Sequence, residues 1–453
     1  MSDARAIASR ILTRITRERA FAAALIEAET NRLTDPRDAA LCHELVLGVL
    51  RHRPWLDALL QRVSRRGTLN VDPQVHDILR VAAYQLAFLD RIPAHAAVKT
   101  AVDQVRHTPA ARLASLTNAL LRAISRMTPE DRRPAPIEQL AQPDDIALAS
   151  GLPPWVIQRL IADRGLDATR RIAHIFQQPS HRFVRLNLHR ETRDALLRAH
   201  PGLSAANARL PWSAQADDRQ TARHLEDEGL AAIQDEGSGL VVAALGDVAH
   251  RRVLDACAGR GGKSGTLAMQ MNGTGYLLCA DKKPNKLERL RFDFQRQQLS
   301  AHTIAVDARS FSADPGGPFD RILVDAPCTG SGTMGRRPEI RWRLAEADID
   351  TLAALQADML HHLAQFVAPG GRLVFATCSL FAAEHTAHLA PFLARHPDFQ
   401  RVLAPPPLWP ADIPWQEGAP FIDPSMTGTD GYGILCFERR PAGRSANHPQ
   451  GTP

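Results

Sequence analysis

Two cysteines carry the most chemical promise in this chain. Cys328 stands in Asp325-Ala326-Pro327-Cys328, directly after the apolar run Ile322-Leu323-Val324. Cys378 stands in Ala376-Thr377-Cys378-Ser379, directly after Leu373-Val374-Phe375. A cysteine after a strand is most often a small buried hydrophobe, and Cys42, Cys279 and Cys436 read that way. Cys328 and Cys378 differ, because each lies past the end of its apolar run beside turn-forming residues. Thiolate chemistry needs that partial exposure and a lowered pKa. Position alone does not say which thiol attacks.

A third apolar run, Val253-Leu254-Asp255, leads into Ala256-Cys257-Ala258-Gly259-Arg260-Gly261-Gly262-Lys263. The spacing is not that of a P-loop, since Cys257 stands where its first glycine belongs, nor that of the G-x-G-x-x-G dinucleotide loop. What remains is a tight turn whose amides can approach a small cofactor closely. Asp281 ends the next apolar run and lies about 20 residues beyond the turn, where a carboxylate can accept from ribose hydroxyls. Asp307 ends the run after that, where it or a neighbouring amide could meet an adenine edge. Taken singly, an aspartate after a strand is a turn former or helix cap. The Gly-rich loop, Asp281, Asp307 and Asp325 at four successive strand ends point instead to a nucleoside bound without a phosphate requirement. That favours S-adenosyl-L-methionine over NAD.

The elements that must position these residues are strands alternating with helices. Strand-like runs fall at Val253–Leu254, Tyr276–Ala280, Thr303–Val306, Ile322–Val324 and Arg372–Ala376, with helical stretches such as Lys286–Leu299 and Ala347–Val367 between them. The alternation predicts an α/β fold with a doubly wound, mainly parallel, Rossmann-like sheet. Ligands of such sheets bind outside the carboxyl ends of the strands, so the strand ends share one crevice.

Residues 1–127 read as all helix, with Ile7, Ile11 and Ile15 at four-residue spacing. Thr34-Asp35-Pro36 is a cap followed by proline at a helix start. Arg10, Arg14, Arg17 and Arg19 cluster on the first helix, as a solvated face or as a contact for an RNA backbone. Residues 128–145 are rich in proline and charge and read as a linker. A small α+β domain is expected over 146–245, the sheet domain over 246–440 and a disordered tail over 441–453. The 453 residues are 44% hydrophobic and 23% charged, ordinary for globular protein. Net charge is +6, with arginine preferred, which suits an anionic partner such as nucleic acid. The six cysteines form no C-x-x-C pair and no zinc-spaced cluster with histidine, so no metal is expected. With no signal peptide pattern and no apolar run near membrane length, a cytoplasmic, reduced protein is expected, with no membrane partner.

Two resemblances cover nearly the whole chain. Arg37-Asp38, Glu44-Leu45-Val46-Leu47-Gly48-Val49-Leu50-Arg51, Ala83-Tyr84-Gln85-Leu86, Ile92-Pro93-Ala94-His95-Ala96-Ala97-Val98 and Asn118-Ala119-Leu120-Leu121-Arg122, in that order, resemble the NusB family, a helical RNA-binding bundle. The loop 255–263, Asp325-Ala326-Pro327-Cys328-Thr329-Gly330-Ser331-Gly332-Thr333, Arg337-Pro338-Glu339-Ile340-Arg341-Trp342 and Thr377-Cys378-Ser379-Leu380 with Glu384 resemble the RNA 5-methylcytosine methyltransferase (Nol1/Nop2/Sun) family. A NusB-like N-terminus is similar to the branch acting on small-subunit (16S) rRNA. The resemblance implies Cys378 as nucleophile toward carbon 6 of cytosine. It gives Asp325 the exocyclic amine and nitrogen 3, and Cys328 the release of product. Cys257, Ala258, Gly259, Arg260, Gly261, Gly262, Lys263, Asp281, Asp307 and Asp325 would contact S-adenosyl-L-methionine, with Lys263 orienting the loop or a carboxylate. The substrate would be 16S rRNA, free or partly assembled, and the enzyme a monomer. A DNA cytosine-5 methyltransferase would need only Cys328, and a silent RNA-binding factor would need neither cysteine. Three departures stand out: Gly259-Arg260 for Ala-Pro, His385 for Asn, and Tyr432-Gly433 for Phe-Phe.

Overall fold

The computed structural model describes residues 3–441 apart from 19, 32, 34, 65, 66, 207, 313 and 315. Arg19, Thr34 and the tail 442–453 lie outside the described residues. The chain divides into two compact units. One comprises Met1–Pro179 with Thr333–Glu346, the other Ser180–Gly332 with Ala347–Pro453. No helix among the described residues is long and apolar enough to cross a membrane.

The first unit is helical. Ala4–Glu18, Ala22–Thr30, Pro36–Val63, Pro73–Phe88, Ala94–Arg106 and Ala114–Ser125 close on one core in which Ile7, Ile11, Ile15, Leu45, Val49 and Leu121 are buried. Asp35 caps the long third helix by accepting from the Arg37 amide, with Pro36 opening its first turn. Two of the NusB-like strings meet here. A side chain at Gly48 would collide with the Tyr84 ring at 2.1 Å, and the Tyr84 hydroxyl donates to Glu44 at 2.6 Å. Glycine is kept inside this helix, against its propensity, because a ring crosses there. On the first helix, Arg14 pairs with Glu18 and Glu29, and Arg10 with Glu29, so that arginine face is interleaved with acids.

The second unit holds two sheets. Strands β1 (Phe183–Leu186), β2 (Leu203–Ser204), β3 (Ser213–Ala216) and β4 (Ala231–Ile233) form an antiparallel sheet in the order β2-β3-β1-β4. Arg185 of β1 is fully buried and fastens this sheet to the rest of the unit by donating to Gln234, to the Gly265 carbonyl and to Gln297. The large sheet adds β5 (Arg252–Asp255), β6 (Tyr276–Asp281), β7 (His302–Ala305), β8 (Phe319–Asp325), β9 (Val367–Thr377), β10 (Phe399–Arg401), β11 (Phe421–Ile422) and β12 (Tyr432–Arg439). Its order is β10-β12-β9-β8-β5-β6-β7, with β11 on β12. Strands β5 to β9 run parallel, and β12 inserts antiparallel beside β9. Residues alternate strictly between two cores: Leu323, Val374 and Cys436 join one, Ile322, Val324, Phe375 and Phe437 the other. A parallel sheet covered on both faces reads as continuous apolar runs for this reason. The strand order reverses between β5 and β8, and their carboxyl ends open the crevice expected at a switch point.

Between the Cys328 loop and the helix Asp348–Ala364 the chain leaves the second unit and is built into the first. Pro54 explains part of this arrangement. It lies inside the helix Pro36–Val63 and has no N–H to give to the Leu50 carbonyl four residues back. The Trp342 indole supplies that donor at 2.9 Å. Arg341, 1% exposed, donates to the carbonyls of Arg51, Ser150, Phe176 and Met334. Burial, with Arg51 nearby, pushes its pKa down to about 9, which leaves it charged at neutral pH. The charge is met by carbonyl dipoles alone. Arg341→Met strips four carbonyls of their donor, and the helical unit should lose about 3 kcal/mol or more. Arg341→Lys should recover only part of it, because an ammonium cannot span the same fork. Chemical denaturation followed by helical circular dichroism checks both, and an unchanged midpoint for Arg341→Met would refute the anchoring role.

Candidate active site

The loop after β5 is shaped by its glycines. Gly259 and Gly261 have φ of 58° and 87°, the left-handed region that costs a side chain. Gly259 replaces a family alanine, and its amide donates to Asp281 Oδ2 at 3.0 Å. Asp281 also accepts from the Lys283 amide and pairs with Lys286. Asp281 therefore ties the end of β6 to the Gly-rich turn. A side chain at Gly261 would strike Leu290 at 2.7 Å, so its glycine serves close packing. Gly262 faces open space, and a Cβ at Gly259 would meet only the Cys257 carbonyl, at 3.9 Å. The helix Gly262–Met271 starts directly behind and presents its amino end to the crevice. Asp255, Asp281 and Asp325 all act electrostatically on Cys257, whose thiol burial and these charges hold well above its ordinary range. An open glycine cradle inside a carboxylate-rich field fits a nucleoside carrying a sulfonium charge.

Asp307 sits apart from this cradle. Its carboxylate caps the short turn Ala308–Ser310 and forms a fork with Arg309, with Lys282 at 3.8 Å. The Arg309 side chain, then its amide, pull its pKa to about 2. The carboxylate is engaged by its own neighbours.

Lys263 reaches across to the end of β8. Its ammonium lies 2.6 Å from Asp325 Oδ2 and 5.0 Å from the centre of the Tyr432 ring. Burial disfavours that charge, but Asp325 and Tyr432 prevail and hold the pKa above its ordinary value. The lysine stays protonated and is paired with the Asp325 carboxylate.

Cys328 and Cys378 lie with their sulfurs 3.4 Å apart, well beyond a disulfide bond. Both are half-buried. The hydrogen bond to Cys378, followed by burial, pushes the Cys328 thiol well up. Cys42, Cys279 and Cys436 are fully buried, as expected.

Glu384 is the residue whose part spacing did not reveal. Fully buried, it accepts from the Thr329 amide and hydroxyl, from Ser379 Oγ and from Gln356 Nε2. Thr329 follows Cys328 and Ser379 follows Cys378, so one carboxylate gathers both cysteine loops. Ser331 joins them again by accepting from the Leu380 amide at 2.9 Å. Two family departures also explain one another. A side chain at Gly433 would lie 2.2 Å from the His385 ring, so the larger residue at 385 occupies the space vacated at 433.

The buried carboxylates make two behaviours measurable. Asp255 is 1% exposed, accepts from Ser264 Oγ at 2.6 Å and has a second oxygen without a partner. Burial, against the help of Ser264, raises its pKa from 3.8 to about 6. The folded state therefore holds this proton more tightly than the unfolded chain, and stability falls as pH rises through that window. Asp255→Asn should match wild type near pH ~4 and exceed it by about 3 kcal/mol at pH ~7. Melting curves of both proteins across this range read the difference, and a constant offset would refute it. Glu384→Ala leaves the Thr329 and Ser379 donors unmet, and should lower kcat by about 100-fold or more while cofactor affinity holds. Equal losses in both quantities would mean general unfolding instead of loss of loop alignment.

Comparison with known proteins agrees with this geometry. A model described as 16S rRNA methyltransferase RsmB/F matches residues 242–407, and the NusB family model matches 2–126. A probable ribosomal RNA small subunit methyltransferase B of Bacillus subtilis is 30% identical over 451 residues, 97% of this chain and 99% of the relative. The ribosomal RNA small subunit methyltransferase B of Vibrio cholerae is 32% identical over 377 residues, 82% of this chain and 85% of that one. A crystal structure titled PH0851 shares the fold over 97% of this chain and 99% of its own, at a TM-score of 0.79 and 23% identity. With a two-cysteine crevice, a NusB-type helical region earlier in the sequence and a near full-length relative at 30% identity, the chain belongs to the RsmB/F family of 16S rRNA methyltransferases.

Proposed function

We propose that this protein transfers a methyl group from S-adenosyl-L-methionine to carbon 5 of a cytosine in small-subunit (16S) rRNA, through a covalent bond between Cys378 and the base. The reading rests above all on the 3.4 Å approach of Cys328 to Cys378, on the loops that follow adjacent strands, beside the Lys263–Asp325 pair. The bound cofactor supplies the electrophilic methyl group and nothing else.

Each remaining step falls to this chain's residues. Carbon 5 of cytosine is a weak nucleophile. The Cys378 thiolate adds to carbon 6 and pushes an electron pair toward carbon 5, which then takes the methyl group. Asp325 hydrogen-bonds the exocyclic amine and nitrogen 3 and favours the adduct. Lys263 holds Asp325 in place. Before attack one proton is shared between the Cys328 and Cys378 sulfurs, 3.4 Å apart, which steadies the attacking sulfur. Once Cys378 is bonded to carbon 6, Cys328 loses its own proton to solvent. In the last step its thiolate takes the proton from carbon 5, and the bond from Cys378 to carbon 6 breaks to restore the Cys378 thiolate. The target base must leave any helical stack to be reached. The Gly-rich loop 257–263 with Asp281 would hold the cofactor, residues 1–127 would supply RNA affinity, and the enzyme would work in the cytoplasm.

The two cysteines separate on a denaturing gel with labelled rRNA. Cys378→Ala should form no covalent complex. Cys328→Ala should attack and methylate but stall before release, giving a slow-migrating complex. The double variant should behave like Cys378→Ala. An adduct in Cys378→Ala and none in Cys328→Ala would reverse the roles and favour attack from the Pro-Cys strand end.

A further inference from the structure

The second unit has a cavity of about 1020 Å³ at the opposite end of the sheet from Cys328 and Cys378. Its floor is a row of register partners on three adjacent strands: Arg321 on β8, Arg372 on β9 and Glu438 on β12. Its wall is the apolar strap from Leu403 to Pro407. The arginines are held alike. Arg321 gives Nη1 to the Asp320 carbonyl at 2.9 Å, and Arg372 gives Nη1 to the Ala244 carbonyl at 3.2 Å. Gly246 lets the second guanidinium lie close, since a Cβ there would be 3.0 Å from Arg372 Nη1.

What each arginine leaves unused is informative. With Nη1 committed to backbone, the Nε/Nη2 edge remains, the edge that matches the two oxygens of a phosphate or carboxylate. On both residues Nε is buried with no partner. Among the described residues, neither arginine forms a salt bridge, although Asp247 and Glu438 also line the cavity. Arg401, a third arginine of the lining, is already satisfied by Glu417 and the Gln416 carbonyl. Two like charges fixed side by side, with neither paired to a carboxylate among the described residues, are costly unless an anion joins them.

We propose that this cavity binds a phosphate group, gripped by Arg321 and Arg372. The phosphate belongs either to an RNA backbone or to a free phosphorylated compound. The site takes no part in methyl transfer, so its test can fail while the methyltransferase reading stands.

Two measurements on the full chain decide the matter. Pyrophosphate is titrated calorimetrically, and binding of an rRNA fragment is followed against salt concentration. Both are repeated for the Arg321→Gln, Arg372→Gln double variant and for Leu403→Glu, which places a carboxylate at the mouth on a residue 68% exposed. Unchanged cofactor affinity shows that a variant is folded. If the double variant fails that control, Leu403→Glu alone decides. A pyrophosphate affinity that falls at least tenfold in the variants supports a free phosphate ligand. A salt slope for RNA that falls by roughly one supports the backbone. Variants that match wild type in both measurements overturn the proposal.

Discussion

The crevice depends on one buried carboxylate. Cys328 and Cys378 lie on loops that leave neighbouring strands, and beyond the strand ends single backbone bonds join the two loops, such as the Gly332 amide on the Cys378 carbonyl at 3.0 Å. Beyond that point little in a parallel sheet fixes the distance between two loops. Glu384 does so by taking donors from the residue after each cysteine and from Gln356 on the covering helix. Its four donors stand in for the water it loses on burial. The 3.4 Å separation of the sulfurs results from this arrangement. Glu384 shares this task with the Gly332 amide on the Cys378 carbonyl and with Ser331, which accepts from the Leu380 amide.

The charges nearby obey the same logic of mutual constraint. Lys263 comes from the Gly-rich loop and Asp325 from β8, so the ion pair spans the switch point and joins the Gly-rich loop to the strand that leads to Cys328. Asp255 feels both Asp325 and Lys263 but forms no salt bridge among the described residues, and burial raises its pKa. Groups whose environments push their protonation apart in this way mark functional crevices.

Much of this was readable in the sequence because strand ends are local features. The runs before Asp255, Asp281, Cys328 and Cys378 are apolar on every residue, and the turn chemistry beyond each run announces where the strand stops. Strand β12 escaped the reading, since Gly433 interrupts its pattern and its place beside β9 is set by sheet order. The fork between Asp307 and Arg309 could be suspected from two-residue spacing. The donors of Glu384 lie as far as 55 residues away, and the exchange of bulk between His385 and Gly433 crosses 48 positions of chain. No periodicity encodes such pairings. The seating of Arg341 among carbonyls up to 290 residues distant is the extreme case.

That seating has a consequence for how the protein is made. The helical unit is not contiguous in the chain, because its last piece, Thr333–Glu346, is synthesised only after most of the second unit. A ribosome adding about 5–20 residues per second needs roughly 10–30 s to travel from Pro179 to Glu346. Throughout that interval the carbonyls of Leu50, Arg51, Ser150 and Phe176 await Trp342 and Arg341. The nascent bundle must persist as an incomplete structure until the chain loops back to finish it. A gene cut cleanly between the two halves would leave each product lacking, or carrying, a segment that belongs to the other.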